Sequence, residues 1–298
     1  MTSHKFQQSI DRMSLKHIAL SLTLSGLFTL VSCSTVETIP QVTVRPNNSG
    51  IEIGEVKQQG PSFLLGQGWV NGEPSPPDVP PRTTIEVKRS QTLRNKGPRY
   101  FIAASGLVQV VSIERYSDYG DPNTLTKWEK IINSPEVLRD LEQNKLNSAQ
   151  ISEIPYMNAA RVFHGKLRKR QFPWGNAVLF LTSYIQGNTG GPVNNDMLIL
   201  VVQGLTSDGR YAVNARLEIS HPKLPNSSWD YHFKGKAVFS IDDECDEAEE
   251  WLDSQPDHSF SPTIGDYETF LSSLDISLGR PATELDTTTV GNQLLEQG

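Results

Sequence analysis

Cysteine, clustered positive charge and long apolar runs are all scarce in this 298-residue chain. Its two cysteines, Cys33 and Cys245, allow one disulfide at most, so a domain of this size must be held together by packing. The formal net charge is −7, and an acidic surface disfavours sequence-independent attraction to phosphate backbones. We therefore expect no nucleic-acid partner.

Recognisable catalytic and metal-binding motifs are also missing. Beyond residue 32 the chain contains no G-x-S-x-G and no S-x-x-K with its partner motifs. Its histidines and cysteines form no H-x-x-x-H or C-x-x-C pair there, and the acidic run 242–250 lacks the alternating Asp/Asn pattern and central glycine of a calcium loop. We expect no metal and no cofactor, and we interpret the acidic run as a solvated helix face.

The one long apolar run lies near the N terminus. Basic residues Lys5, Arg12 and Lys16 precede the run 18–31, which is followed by small residues, and this is the layout of a secretory signal. A bilayer-spanning helix needs roughly 20 apolar residues, so the run favours a cleaved signal over a transmembrane anchor. A start at Met13 gives a more typical signal, and this alternative stays open.

The signal ends in Leu30-Val31-Ser32-Cys33, which resembles the lipobox of bacterial lipoproteins. The resemblance implies cleavage before Cys33, diacylglycerol on its thiol and an acylated amino terminus, and two or more acyl chains hold a protein firmly on a membrane. In that family an Asp after the cysteine favours the inner membrane, so Ser34 slightly favours the periplasmic face of the outer one. The alternative is an ordinary secretory signal with a coincidental cysteine.

Lipidation of Cys33 leaves Cys245 as the single thiol. Cys245 lies inside the acidic run, where neighbouring carboxylates disfavour the thiolate, so we expect it to be unreactive. Removing residues 1–32 takes away three bases and one acid and changes the formal charge from −7 to −9.

Composition predicts four regions along the chain. They are a lipoprotein signal peptide (1–32), a lipid-anchored Pro/Gly-rich linker (33–96), an α+β domain (97–281) and a disordered tail (282–298). The linker assignment depends on five prolines in residues 72–82, which favour extended polyproline geometry and a domain held away from the bilayer. The apolar segment 63–70 is expected to dock on the domain or to form a short strand.

Within the domain, β-branched residues and turn signals predict a series of strands. The predicted strands are 100–103, 107–114, 159–172, 176–186, 197–204 and 210–220. Short connections such as Ser207-Asp208-Gly209 indicate hairpins and therefore antiparallel pairing.

Helix-start signals occur at Asp121-Pro122 and Ser134-Pro135, and these predict two short helices or one kinked helix. Residues 242–252 form a third candidate helix. The clearest amphipathic stripe is expected to continue to Gly279; it consists of Tyr267, Phe270, Leu271, Leu274 and Leu278. The predicted class is α+β, with a single, mainly antiparallel sheet and helices packed against it.

Five short blocks resemble an uncharacterised family of secreted or lipid-anchored bacterial proteins. The blocks are Asn-Ala-Ala (158–160), Thr-Ser-Tyr-Ile-Gln (182–186), Pro-Val-Asn-Asn (192–195), Gln-Gly-Leu-Thr-Ser-Asp-Gly (203–209) and His-Pro-Lys-Leu-Pro (221–225). The chain departs from that family at Ala177-Val178-Leu179, where the family has Gly-Val-Arg. The family has no accepted activity, so the resemblance supports the fold more than a function.

Four polar residues in these blocks are candidates for a ligand or partner surface, namely Asn194, Asn195, Asp208 and His221. His221 could act as a general base. Turns also use Asn and Asp for local backbone bonds, so a purely structural role is the alternative.

Alternating basic residues on one predicted strand form a second feature. Lys166, Arg168 and Arg170 lie on one strand face. This face is either exposed to solvent or meets an acidic partner, and the acidic run 242–250 is an available internal partner.

These features give two main functional hypotheses. The first is a noncatalytic lipoprotein whose domain binds or scaffolds an envelope protein. The second is an envelope hydrolase that uses His221 and Asp208. A helper of a membrane-bound complex is a third interpretation, by analogy alone.

Overall fold

A computed structural model of the chain describes residues 38–61, 79–88, 106–138, 153–155, 160–185, 192–227 and 235–281, with the backbone of 69–70 and 73–74. Within these ranges, residues 115, 117, 118, 120, 121, 242 and 243 are not described. The signal peptide, Cys33, the predicted strand 100–103 and the predicted tail 282–298 lie outside the described residues. The described residues all belong to one compact unit.

The centre of the fold is a seven-stranded sheet in the order β2-β5-β6-β12-β11-β9-β8, in which every neighbouring pair is antiparallel. Its strands are β2 (Ile53–Gln59), β5 (Arg82–Val87), β6 (Leu107–Ser112), β8 (Gly165–Phe172), β9 (Gly175–Thr182), β11 (Ile199–Thr206) and β12 (Tyr211–Glu218). The prediction of mainly antiparallel pairing is confirmed, but the prediction of a single sheet is wrong, because the described residues also form three two-stranded sheets.

Three shorter pairings complete the strands. A separate two-stranded sheet joins β1 (Thr38–Val44) to β13 (Leu274–Pro281), and two-residue strands pair β3 (Trp69–Val70) with β4 (Glu73–Pro74) and β7 (Ala160–Arg161) with β10 (Tyr184–Ile185). The last two residues of the apolar segment 63–70 therefore form a short strand, which is one of the two structures predicted for it.

The linker predicted for residues 33–96 is wrong where β1, β2 and β5 lie. These strands pair through backbone hydrogen bonds with β13, β5 and β6, so the folded domain includes residues from Thr38 onward that were predicted to be linker. The five prolines of 72–82 fall between β2 and β5, and averaging composition over the whole interval hid the short β-branched runs on either side.

Three α-helices are described: α1 (Pro122–Asn133), α2 (Cys245–Ser254) and α3 (Ile264–Ser272). The first two confirm the predicted starts near Pro122 and in the acidic run, and residues 136–138, which follow Ser134-Pro135, are also helical. Thr263 caps α3 in a capping box with Asp266, whose backbone N–H donates to Thr263 Oγ1 over 3.0 Å.

The predicted extension of the last helix through Leu278 is wrong. The α3 helix ends at Ser272, and Leu274 and Leu278 lie on β13. Residues 274–281 pair with β1, and tertiary pairing of this kind overrides a local helical periodicity.

Both faces of the central strands are buried. One face joins Val202 and Val213 to a large apolar cluster that includes Leu252 of α2 and Phe270 of α3. The opposite face belongs to a second cluster, which joins Val178, Phe180, Val201 and Ala212 to Trp128 and Ile131 of α1. Burial on both sides explains why β9 and β11 read as nearly continuous apolar runs.

The β11–β12 hairpin defines two ends of the sheet. The turn end is where the Ser207–Arg210 turn joins β11 to β12. The His221 end is where β11 begins at Ile199 and β12 ends at Glu218. An eight-residue strand separates the two ends by about 26 Å at roughly 3.3 Å per residue.

Close approach of strands makes Gly175 a sensitive position. A Cβ there would lie against Leu205 O and 2.8 Å from Thr206 Cα, both of them backbone atoms that cannot move aside. We expect Gly175→Ala to lower the free energy of unfolding by about 1–3 kcal/mol, measured by urea denaturation. Gly265→Ala is the control, because the nearest atom to its Cβ is 3.8 Å away and alanine is the better helix former; equal stability of the two variants would contradict the prediction.

Candidate functional site

The structure brings Asn195 and His221 together at the His221 end. Asn195 Oδ1 accepts a hydrogen bond from the His221 backbone N–H over 2.7 Å, and Asn195 Nδ2 donates to the carbonyls of His221 (3.1 Å) and Leu224 (3.3 Å). The Asn195 backbone N–H also donates to Pro225 O over 2.9 Å. One buried amide therefore holds the His-Pro-Lys-Leu-Pro segment in place.

The Asn194 side chain forms hydrogen bonds with the backbone of its own loop. Its Nδ2 donates to Pro192 O over 2.8 Å, and its Oδ1 accepts from the Asp196 backbone N–H over 2.9 Å. Because the residue is fully buried, its amide contributes to the conformation of the loop before β11 rather than to an exposed surface.

The His221 ring is fixed by hydrogen bonds on both nitrogens. Nδ1 accepts from the Lys223 backbone N–H over 3.2 Å, so Nε2 carries the proton and donates to Ser259 Oγ over 2.9 Å. Ser259 Oγ in turn donates to Pro256 O over 2.7 Å. His221 is 1% exposed, and its ring makes edge contacts with Trp251 and Phe260 at centroid distances of 5.0 Å.

Burial lowers the pKa of His221 to about 4, and the charges of Lys223 and Lys236 contribute to the same shift. The imidazole is therefore neutral at physiological pH. In this arrangement it acts as a structural hydrogen-bonding group that joins the loop after β12 to the segment around Ser259.

The structure does not bring Asp208 to His221. Asp208 lies in the Ser207–Arg210 turn, at the opposite end of the β11–β12 hairpin and about 26 Å along the strands. Its Oδ1 accepts from Thr206 Oγ1 (2.6 Å) and from the Arg210 backbone N–H (3.1 Å). Asp208 thus closes the turn in the manner typical of that residue.

A different polar group, absent from the residues predicted for the site, lies on the same side of β11 and β12 as Val201 and Ala212. We call it the Glu153 network, and it consists of Glu153, Arg161, Gln203, Asn214 and Arg216. These side chains come from the segment before β7, from β7 itself, and from β11 and β12. All five residues are at most 8% exposed.

Glu153 is the centre of this network. Its carboxylate lies 3.5 Å from Arg161 Nη1 and 3.7 Å from Arg216 Nη1, and it accepts a 3.0 Å hydrogen bond from Asn214 Nδ2. Arg161 also lies over the Trp128 ring at 5.8 Å. Burial lowers the pKa of Arg216, and the negative charge of Glu153 opposes that effect.

The two amides of the network have fixed orientations. Gln203 Oε1 accepts from Ile154 N (3.3 Å) and from Asn214 Nδ2 (2.8 Å), so Gln203 Nε2 and Asn214 Oδ1 face elsewhere. Within the part of the chain that the structure describes, neither atom has a hydrogen-bond partner. A buried polar group without a hydrogen-bond partner lowers stability by about 1–3 kcal/mol. The Gln203 donor and the Asn214 acceptor are therefore suited to holding a water molecule or another polar group.

The sequence does carry one signal for this network. Gln203, Asn214 and Arg216 are polar residues inside strands whose other positions are almost all buried. Polar residues at such positions require internal partners. Glu153 comes from a segment outside any predicted strand, so no periodicity links it to them.

The basic face of β8 does have internal acidic partners. Arg168 pairs with Asp257 (2.7 Å) and Glu268 (2.9 Å), and Arg170 pairs with the same Glu268 (2.6 Å). Lys166 lies 3.6 Å from Asp257. Asp257 and Glu268 follow the acidic run 242–250 and do not belong to it. The basic face therefore meets acidic residues of this same chain, but not the residues that were predicted.

Asp257 responds to these bases. Its partial burial would raise the pKa of the carboxyl, but the hydrogen bonds and charges of Arg168 and Lys166 outweigh burial and hold that pKa below its ordinary value.

No family model, curated protein or solved structure matches this chain. Among the described residues, no group of three His, Cys, Asp or Glu side chains could hold a metal ion. No helix in that part of the chain is long and apolar enough to cross a bilayer.

The depressed pKa of His221 predicts a pH-dependent stability. Because the unfolded chain binds the imidazole proton near pH 6.5 and the folded protein only near pH 4, the stabilisation is complete above pH 6.5 and is lost as pH falls toward 4. Between pH 7.5 and pH 5 we expect a loss of about 2 kcal/mol from this residue, measured by urea denaturation.

In His221→Gln, the free energy of unfolding should no longer show this loss of about 2 kcal/mol between pH 7.5 and pH 5. His258→Gln changes an exposed residue and should show the same loss as the wild type. A His221→Gln protein whose stability falls between these pH values as steeply as that of the wild type would contradict the assignment.

Glu153 offers a second test. Glu153→Gln leaves two buried guanidinium groups without their central negative charge, and breaking a buried ion pair typically costs about 3–5 kcal/mol. Glu114→Gln removes the carboxylate that pairs with Arg210. The side chains of Glu114 and Arg210 are 25% and 34% exposed, so this substitution should lower the free energy of unfolding by under about 1 kcal/mol. Similar urea midpoints for the two variants would show that the network does not stabilise the fold.

Proposed function

We propose that this chain is a bacterial lipoprotein, held on a membrane by lipid on Cys33, whose extracytoplasmic α+β domain is a noncatalytic binding or accessory module. The observation that carries this proposal is the Leu30-Val31-Ser32-Cys33 sequence at the end of the only long apolar run. Cleavage there would leave Cys33 five residues before the first strand at Thr38. The Ser34 that follows favours the periplasmic face of the outer membrane.

The fold proposed for this module has helices covering both faces of the sheet. Leu252 of α2 and Phe270 of α3 belong to the apolar cluster on one face, and Trp128 of α1 belongs to the cluster on the other. These contacts support an α+β rather than an all-β description.

A binding role is supported by the Glu153 network and by the organisation of the loops. The network keeps the amide N–H groups of Gln203 and the amide oxygen of Asn214 available in a buried setting. The Asn195 side chain holds the His221 segment through three hydrogen bonds, which gives this end a fixed loop surface for an envelope protein. We expect no nucleic-acid partner, since the formal charge is −7 for the whole chain.

The alternative of an envelope hydrolase using His221 and Asp208 has no supporting geometry. The two residues lie at opposite ends of the β11–β12 hairpin, and both nitrogens of the imidazole are engaged in hydrogen bonds. A general base needs to reach its partner within hydrogen-bond distance.

Lipidation can be tested by labelling cells with an alkyne fatty acid. Wild-type protein and Cys245→Ser should incorporate the label and float with membranes, whereas Cys33→Ser should be unlabelled, because the acceptor thiol is gone. Intact-mass measurement should show the loss of residues 1–32 in the first two proteins. Label on Cys33→Ser, or none on the wild type, would contradict the proposal.

The accessory role has its own test. Crosslinking in intact cells followed by purification should recover one reproducible envelope partner with the wild type. A Cys33→Ser protein, released from its membrane position, should recover that partner at least several-fold less. If the wild type returns neither a protein nor a small molecule, the binding role is wrong even where lipidation is correct.

A further inference from the structure

The short distance in sequence between Cys33 and β1 determines how the domain meets the membrane. Strand β1 begins at Thr38, five residues after Cys33. Five extended residues span at most about 17 Å. If Cys33 is lipidated, as the proposed function requires, Thr38 cannot lie farther than this from the cysteine at the bilayer surface.

Contacts of β1 locate Thr38 at the turn end of the sheet. Thr38 Oγ1 lies 3.4 Å from Tyr211 OH, and Tyr211 is the first residue of β12. Two residues farther along, Pro40 O accepts a hydrogen bond from Thr83 Oγ1, and Thr83 is the second residue of β5. Both β12 and β5 begin at the turn end.

We propose that the turn end of the sheet faces the phospholipid headgroups and that the His221 end points away from them. The two ends are about 26 Å apart, which exceeds the reach of the tether. A domain held so closely cannot turn over freely, because exchanging its ends would carry Thr38 out of reach of the lipidated cysteine.

The chemistry of the turn end suits a polar headgroup layer. It exposes Ser207, Asp208 and Gly209, and beside them Arg210 pairs with Glu114. The exposed large apolar side chains among the described residues are Val56 and Val238, and neither belongs to the Ser207–Arg210 turn. The contact is therefore peripheral, set by the tether rather than by insertion of apolar side chains.

The distribution of acidic charge agrees with this orientation. Helix α2 exposes Asp246, Glu247, Glu250 and Asp253. It lies at the His221 end, because a Cβ on Gly165, the first residue of β8, would touch Leu252. A surface of anionic phospholipids repels carboxylates within about a Debye length, so the acidic helix is most stable on the side away from the bilayer.

Site-specific quenching tests the orientation. In a Cys245→Ser background, Ser207→Cys labels the turn end and Ser254→Cys labels the end of α2; both serines are exposed. The lipidated proteins, purified from membranes, are placed in phosphatidylcholine vesicles that carry a nitroxide on the headgroup. We expect a thiol-linked fluorophore at 207 to be quenched at least three-fold more than one at 254.

A long-tether variant serves as the matched control. Inserting about 20 Gly/Ser residues between Thr35 and Val36 gives a flexible link with a root-mean-square length of about 25 Å, and the two positions should then be quenched about equally. Equal quenching in the native-tether protein, or stronger quenching at 254, would overturn the proposed orientation. A three-fold difference that persists with the long tether would overturn the tether as its cause.

The proposal of a lipid anchor and the proposal of a fixed orientation are contradicted by different results. If the native protein takes up no fatty acid and does not float with vesicles, the lipoprotein assignment is wrong and the orientation falls with it. If the protein floats and the quenching ratio is one, only the orientation is wrong. Equal urea midpoints for both labelled variants and the parent verify that the substitutions leave the fold intact.

Discussion

Burial of the central strands on both faces is the constraint on which the rest of the structure depends. Almost every position of strands β9, β11 and β12 is buried, so a buried polar side chain within them must find its partners inside the protein. Gln203 and Asn214 meet that requirement through each other and through Glu153. The approach of β9 to β11 at Gly175 is too close for any side chain.

The sequence predicted the elements whose local pattern agrees with their tertiary role. The β11–β12 hairpin carries both apolar strands and turn residues, and α1 carries a start signal and an apolar stripe. Strands β1 and β5 are short and lie in a proline-rich interval, so local composition opposed them. Leu274 and Leu278 fitted a helix, but pairing with β1 decides their conformation, and that partner lies too far away in sequence for any local pattern to indicate it.

The sequence could predict which site residues lie together only where the connection between two strands determines it. Asn195 precedes β11 and His221 follows β12, so an antiparallel hairpin necessarily brings them to one end. Asp208 occupies the turn, which the same geometry sends to the other end. The network around Glu153 could not be predicted from sequence, because Glu153 and Arg161 come from a segment outside the seven-stranded sheet and no local pattern relates them to β11 and β12.

Pairing of β1 with β13 affects the order in which the described strands can form. The β1–β13 sheet pairs Val44 with Leu274 and Thr38 with Pro281, so β1 cannot form this pairing until almost the whole chain is available. In a chain that is exported from its N terminus, the segment beside Cys33 crosses the membrane early, and β1 stays unpaired with β13 until the C-terminal part follows. If Cys33 is lipidated as proposed, an enzyme that acts on it during export would meet a chain in which β1 has not yet paired with β13.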